Sequence, residues 1–249
     1  MVSASSPTRP FEDGNYSHFS ITISLNKTSL YYNLIKHYKE HIIKLVIYFF
    51  FTTLLLANPY PDFTKEDFIY IQKKAGKIAK NRTQDYQKTI SSYKKLSKKR
   101  QLEKVNLYLN QLLPQYDDVM HKQRDYWATP KEFLIGGFGD CEDYVIIKYF
   151  TLLKLGFDKK RLYLTTVHEK YIGGYHMVLS YFDKEGESPL ILDNLSFRIL
   201  KLEIREDLEA DIFINANGVY KIDKNNRLSK VKNYSAKFQE LLERVKKNR

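Results

Sequence analysis

The chain has 249 residues, 43% of them hydrophobic and 14% aromatic, which is enough apolar material for a substantial core and excludes a disordered or low-complexity protein. Its 41 Lys and Arg outnumber 29 Asp and Glu, giving a formal charge of +12. Such a balance suits an acidic partner, but the lysines are spread through most of the chain and no nucleic-acid module accompanies them, so nucleic acid is not an expected partner. The densest basic stretch, Lys94-Lys95 with Lys98-Lys99-Arg100, lies in a segment of helical spacing and reads as a solvated helix face.

The first residues, 1–57, read as a leader. Leu45 to Ala57 form an uncharged apolar run of signal-peptide length, preceded by Lys36, Lys39 and Lys44 and followed by Asn58-Pro59. The run is short against the roughly 20 residues of a membrane span, so export through a signal peptide cut after Ala57 is expected, with a retained N-terminal anchor as the alternative. Removing the leader takes away five Lys or Arg and three Asp or Glu, which leaves a still basic chain of about +10.

Residues 58–249 read as one domain, with a helical part over about 58–156, a sheet over about 157–230 and a C-terminal helix. Thr64 followed by Lys65-Glu66-Asp67 is an N-cap with an acidic first turn, and Phe68, Ile71, Ala75, Ile78 and Ala79 recur at helical spacing. A second long helix is expected from about Tyr86 to Leu113, with Ile90, Tyr93, Leu102, Val105, Leu109 and Leu112 along one stripe and Pro114 at its end. Asp125 to Gly139, with Trp127, a Thr129-Pro130 turn and three glycines, reads as a loop. A helix from Cys141 to Leu155 follows, with Gly156 as its C-cap glycine.

Beyond Arg161 the pattern becomes β-rich: Arg161–Val167, Tyr175–Phe182 and Leu190–Leu192, the last two forming a hairpin. Ile212–Ile214 and Val219–Ile222 form another around Asn217-Gly218, and Ala236 to Val245 is a surface helix.

Cys141 is the only cysteine, so it closes no intrachain disulfide, and its neighbours Gly139, Asp140, Glu142 and Asp143 are ill suited to an apolar pocket. A helix N-terminus lowers a thiol's pKa, and a thiol nucleophile needs a base and a group that orients the base. Of the six histidines, His18, His37 and His41 precede or lie within the leader region, leaving His121, His168 and His176. His176 follows the flexible Gly173-Gly174 at the start of a strand and is the chosen base. Asp193 ends the strand expected to pair with it, where its carboxylate can reach the imidazole. Trp127 and Gly136-Gly137 read as walls of a cleft that let a substrate backbone approach, with plain core packing as the equal alternative for Trp127.

Several of these residues together resemble a family. Trp127-Ala128-Thr129-Pro130-Lys131-Glu132-Phe133, then Gly139-Asp140-Cys141-Glu142-Asp143-Tyr144 with Lys148-Tyr149, His176-Met177-Val178-Leu179 and Leu192-Asp193-Asn194 are similar to the bacterial transglutaminase-like cysteine proteinases, LapG-like periplasmic proteases. The resemblance implies an α+β, papain-like or transglutaminase-like fold, with a helical N-terminal lobe packed on an antiparallel β-sheet lobe. It implies a Cys-His-Asp triad on Cys141, His176 and Asp193.

It further implies a periplasmic, calcium-dependent endopeptidase that cuts the N-terminal region of a large repeat-containing adhesin, releasing it from the outer membrane and so controlling biofilm attachment. A membrane receptor that senses cyclic di-GMP would hold the enzyme inactive. The calcium dependence maps onto Asp140 and Glu142, with Asp143 a weaker candidate; helix capping and dipole compensation by the same residues is the alternative. Two competing functions remain: acyl transfer to an amine through the same triad, and a non-catalytic binding protein on the same fold.

Overall fold

The computed structural model describes residues 32, 35–44, 60–114, 125–171 and 173–248. The chain divides into two units, Met1–Ala57 and Asn58–Arg249. In the first, residues 32 and 35–44 are helical and exposed, while the apolar run expected to be the export signal lies outside the described residues, as does His121. No helix among the described residues is long and apolar enough to cross a membrane.

The second unit opens on helix α1, Lys65–Tyr93. Its start is set by a capping box, in which the Thr64 hydroxyl accepts from the Asp67 N–H and the Asp67 carboxylate accepts from the Thr64 N–H. Helix α2, Lys98–Leu109, begins where the Ser97 hydroxyl accepts from the Arg100 N–H. The single helix expected from Tyr86 to Leu113 is therefore two pieces: Tyr86 to Tyr93 belong to α1, and the chain turns between 94 and 97. Ile90, Leu102, Val105 and Leu109 are all buried, so both helices carry apolar faces into one core and the stripe runs through the break without marking it.

The expected loop from Asp125 to Gly139 contains a helix, α3, Pro130–Gly136. Thr129 and Glu132 form a capping box around Pro130, which occupies the first helical position, where a missing N–H costs nothing. Gly137 ends the helix at φ 84°, and a Cβ there would fall on the guanidinium of Arg82, whose Nη1 donates to the carbonyls of Leu134 and Ile135 at 3.0 and 2.8 Å. Gly137 thus serves a helix end packed against α1. After α3, strand β2 (Phe138–Gly139) pairs in parallel with β1 (Leu113–Pro114) and leads into α4, Cys141–Lys154.

Helix α4 is buried on nearly every side, with apolar residues dominating between Tyr144 and Leu152 and the polar Asp143, Lys148 and Thr151 buried among them. Gly156 ends it at φ 81°, with the Phe157 N–H donating to Leu152 and the Gly156 N–H to Leu153. It packs on a seven-stranded antiparallel sheet: β3 (Leu162–Glu169), β4 (Tyr175–Tyr181), β5 (Leu190–Asp193), β6 (Ser196–Lys201), β7 (Leu208–Asn215), β8 (Gly218–Ile222) and β9 (Leu228–Lys232). Their spatial order is β6-β5-β4-β3-β7-β8-β9.

Both expected hairpins are present, with Leu179 opposite Leu192 and Phe213 opposite Tyr220; β6 and β9, too polar to register as strands, flank the sheet. Alternation sends Leu179, Tyr181 and Leu192 into the main core under the helices. Val178 and Ile191, with Val167 and Leu208, form a smaller cluster. Helix α5, Ala236–Lys247, buries Phe238, Leu241 and Val245, with the Phe238 ring 5.7 Å from that of Tyr149 on α4. The α+β expectation holds, and helices and sheet share one core.

Gly139 is the tightest point of the approach to α4: an added Cβ would sit 2.6 Å from Asp143 Oδ2, 2.7 Å from Asp143 Cβ and 2.8 Å from Phe133 Cδ2. Gly139→Ala is expected to cost about 1–3 kcal/mol through overpacking. Urea denaturation of the full chain measures the loss.

Candidate active site

The turn from β2 into α4 places Cys141 at the first position of the helix, with Asp140 as the residue before it in extended conformation. Asp143, one turn in, is buried and accepts the Ala128 N–H at 2.7 Å, tying the segment ahead of α3 to the helix start. Asp143 therefore has structural work, which weighs against the weaker of the expected metal ligands. Cys141 opens onto a cleft of about 470 Å³ whose lining includes Asp140, Gly174, His176, Asn194 and Leu195. The structure thus brings the sulfur and the chosen imidazole to one cavity.

The hairpin of β4 and β5 brings His176 and Asp193 into contact, Nε2 to Oδ1 at 2.8 Å. With Leu179 opposite Leu192 as the last pair of the ladder, the imidazole near the start of β4 reaches the carboxylate that ends β5 diagonally. Asp193 is fully buried. Burial alone would raise its pKa, but the His176 hydrogen bond and charge, the Leu195 N–H at 2.9 Å and Arg205 Nη2 at 2.8 Å hold the carboxyl well below the usual carboxylate range. His168, on β3, packs its ring edge-on against Tyr175 at 5.9 Å and faces solvent.

At the thiol the carboxylates beside it oppose the helix N-terminus, as their place in the sequence implies. Burial pushes its pKa up, and the Glu142 charge, a hydrogen bond from Sγ to Glu142 Oε2 at 3.2 Å and the Asp140 charge push it further; the Met177 main-chain N–H offsets only part of the rise. A helix N-terminus is worth about 0.3–1 kcal/mol at exposed sites, and here it is outweighed by burial and two adjacent carboxylates.

Asp140 holds the N-cap position without making a capping hydrogen bond to the helix, so its carboxylate is not committed to the role that the alternative reading gave it. Asp140 and Glu142 are hard oxygen donors of the kind calcium takes, and the remainder of a shell of six to eight would come from main-chain carbonyls and water. Among the described residues no group of three or more His, Cys, Asp or Glu side chains is placed to hold a metal ion. The two carboxylates fit part of a calcium site and not the whole of one.

Trp127 belongs to the core and not to the cleft. Its ring faces Lys237 on α5 at 4.8 Å, and its carbonyl accepts from Arg244 Nη2 at 2.5 Å.

Residues 67–206 match the family described as bacterial transglutaminase-like cysteine proteinase BTLCP. The chain belongs to that family of cysteine proteinases. Three solved structures of Legionella pneumophila LapG are similar to it at 36% identity over 72% of this chain. The calcium-bound form aligns over 98% of its own length with a TM-score of 0.62, the EGTA-treated form over 97% with 0.61, and a third over 97% with 0.60. Comparison with curated proteins gave no match.

Sequence reasoning overlooked Arg205, Asp207 and the part played by Lys148. Arg205-Glu206-Asp207 has the composition of a surface link, and nothing local shows that it reaches back to Asp193. Lys148 was part of the family-like stretch, but only the fold shows that it is fully buried on α4 with no hydrogen-bond partner for its amine. Burial lowers its pKa to about 7, against the opposing pull of the Asp193 charge.

Because this folded pKa lies below the unfolded value of about 10.4, the unfolded chain binds more protons between pH 7 and 10, and the lysine's contribution makes stability rise with pH across that interval. Lys148→Met keeps the volume and removes the buried amine. The expected outcome is equal or greater stability at pH 7, with a gain that shrinks by pH 9, measured by urea denaturation of both proteins across the range.

Proposed function

We propose that this chain is an exported, calcium-dependent cysteine endopeptidase that cleaves the N-terminal region of a large repeat-containing adhesin in the periplasm and thereby controls attachment and biofilm formation. The observation that carries the reading is the meeting of Cys141 and His176 at one cleft, with Asp193 bonded to Nε2 of the imidazole. Family membership and the likeness to LapG support the reaction class. The residues before Asn58 would be the leader, and a cyclic-di-GMP-sensing membrane receptor the inhibitory partner.

In the proposed mechanism Asp193 holds Nε2, which leaves Nδ1 as the ring nitrogen that takes the thiol proton. The thiolate attacks the peptide carbonyl, and the oxyanion is met by the Cys141 main-chain N–H, one of the donors left unpaired within the first turn of α4. His176 then returns its proton to the leaving amine, and the acyl group remains on sulfur as a thioester. Water enters, gives a proton to His176 and attacks the thioester, releasing the carboxylic acid and restoring the thiol.

Asp140 and Glu142 would hold the calcium, which when bound supplies positive charge beside the thiol. The comparison that supports this is LapG, solved both calcium-bound and after EGTA treatment. Glu142, which accepts from Sγ here, would be one of the two carboxylates holding the ion, and His176 would take the thiol proton.

The test incubates the full chain with a recombinant N-terminal fragment of such an adhesin and follows the products by mass spectrometry. The expected result is a single cut, abolished by Cys141→Ala, and suppressed by EGTA and restored by calcium. Cleavage that persists in Cys141→Ala removes the proposed nucleophile. Isopeptide product with an added primary amine, in place of cleavage, would identify a transferase.

A further inference from the structure

The link from β6 to β7 crosses the sheet. The chain leaves the edge strand at Lys201, makes one tight 3₁₀ turn over Leu202–Ile204, and enters β7 at Leu208, although β5, β4 and β3 lie between the two strands. Leu202 packs on the small cluster of Val167, Val178, Ile191 and Leu208. Two further bonds pin the link: the Leu208 N–H donates to the Arg205 carbonyl at 3.0 Å, and the Lys170 N–H to the Asp207 carbonyl at 2.9 Å. Arg205 is therefore delivered to the end of β5 by a backbone that is itself fixed.

Its guanidinium makes two kinds of contact. Nε and Nη2 grip the Asp207 carboxylate at 2.8 and 2.5 Å, while the same Nη2 donates to Asp193 Oδ2 at 2.8 Å. The other carboxylate oxygen, Oδ1, meets His176 Nε2 and the Leu195 N–H. Each oxygen of Asp193 thus has its own partners.

We propose that Arg205, gripped by Asp207, is a positioning residue for the acid of the triad: by occupying Oδ2 it fixes the plane of the carboxylate so that Oδ1 is the oxygen presented to His176. This inference rests on the triad reading above. A strap that merely closed the link would need only the Arg205–Asp207 pair; the bond to Asp193 goes beyond that. A guanidinium can serve both carboxylates from one rigid plane, whereas an ammonium offers a single point of charge on a flexible stem. Burial of the pair makes loss of one partner consequential, because Asp193 would keep its charge with one oxygen unpaired.

The experiment compares the full-length wild type with Arg205→Ala, Arg205→Lys and Asp207→Asn. One readout is the His176 Nε2 proton by NMR, assigned with His176→Gln; the other is kcat and KM on the adhesin fragment. Arg205→Ala is expected to broaden or shift the Nε2 proton and to lower kcat by about 10- to 100-fold, as loss of an orienting partner typically does, with KM changed less than about threefold. Arg205→Lys should fall between, and Asp207→Asn nearer wild type.

If Arg205→Ala does not fold, Arg205→Lys decides: reduced kcat at wild-type melting temperature supports the proposal, and unchanged kcat overturns it. Folded Arg205→Ala with wild-type kcat and an unmoved Nε2 proton also overturns it. A wild type that cuts nothing, yet whose Nε2 proton responds to Arg205→Ala, would overturn the protease reading and sustain the positioning role.

Discussion

A charged carboxylate with no exposed surface is expensive, and the arrangement around Asp193 exists to make it tolerable. An ionised buried carboxylate needs donors on both oxygens. The fold supplies an imidazole from β4, a main-chain N–H from the turn after β5 and a guanidinium from the link before β7. Three separate segments must be in place before the acid is satisfied. Any change that shifts the β4–β5 register by one residue would carry the imidazole to the other face and leave the charge bare.

The parts of the molecule legible from the sequence are those whose signals are local. Thr64 and Asp67 announce α1 within four residues, Gly156 ends α4, and the β-rich runs Tyr175–Phe182 and Leu190–Leu192, separated by turn residues, yield a hairpin whose geometry then places His176 beside Asp193. The site was therefore readable to the extent that the hairpin was. Thr129-Pro130-Lys131-Glu132 is equally legible, since it carries a capping box with proline at the first helical position, although the glycines and Trp127 around it have the composition of a loop.

Other features were illegible because their causes lie far away in the chain. The break between α1 and α2 is masked by a continuous apolar stripe, since both helices face the same core. Gly137 looks like flexibility for a substrate until Arg82, some fifty residues earlier, is seen to fill the space beside it. Arg205 and Asp207 look like solvated charges until the crossing of the sheet is known. In each case the residue's role is fixed by a tertiary neighbour, and periodicity carries no information about which neighbour that is.

The same distinction governs the thiol. A helix start favours the thiolate wherever it occurs, and that part of the argument needed only sequence. The net effect depends on how deeply the sulfur is buried and on how Glu142 and Asp140 are disposed around it, and those oppose the helix. The positions that deliver Cys141 to the cleft also deliver two negative charges to its side, because all three belong to one turn. A nucleophile built this way cannot rely on the helix alone for activation: in the proposed mechanism its proton passes to His176, held by the buried carboxylate bonded to its ring.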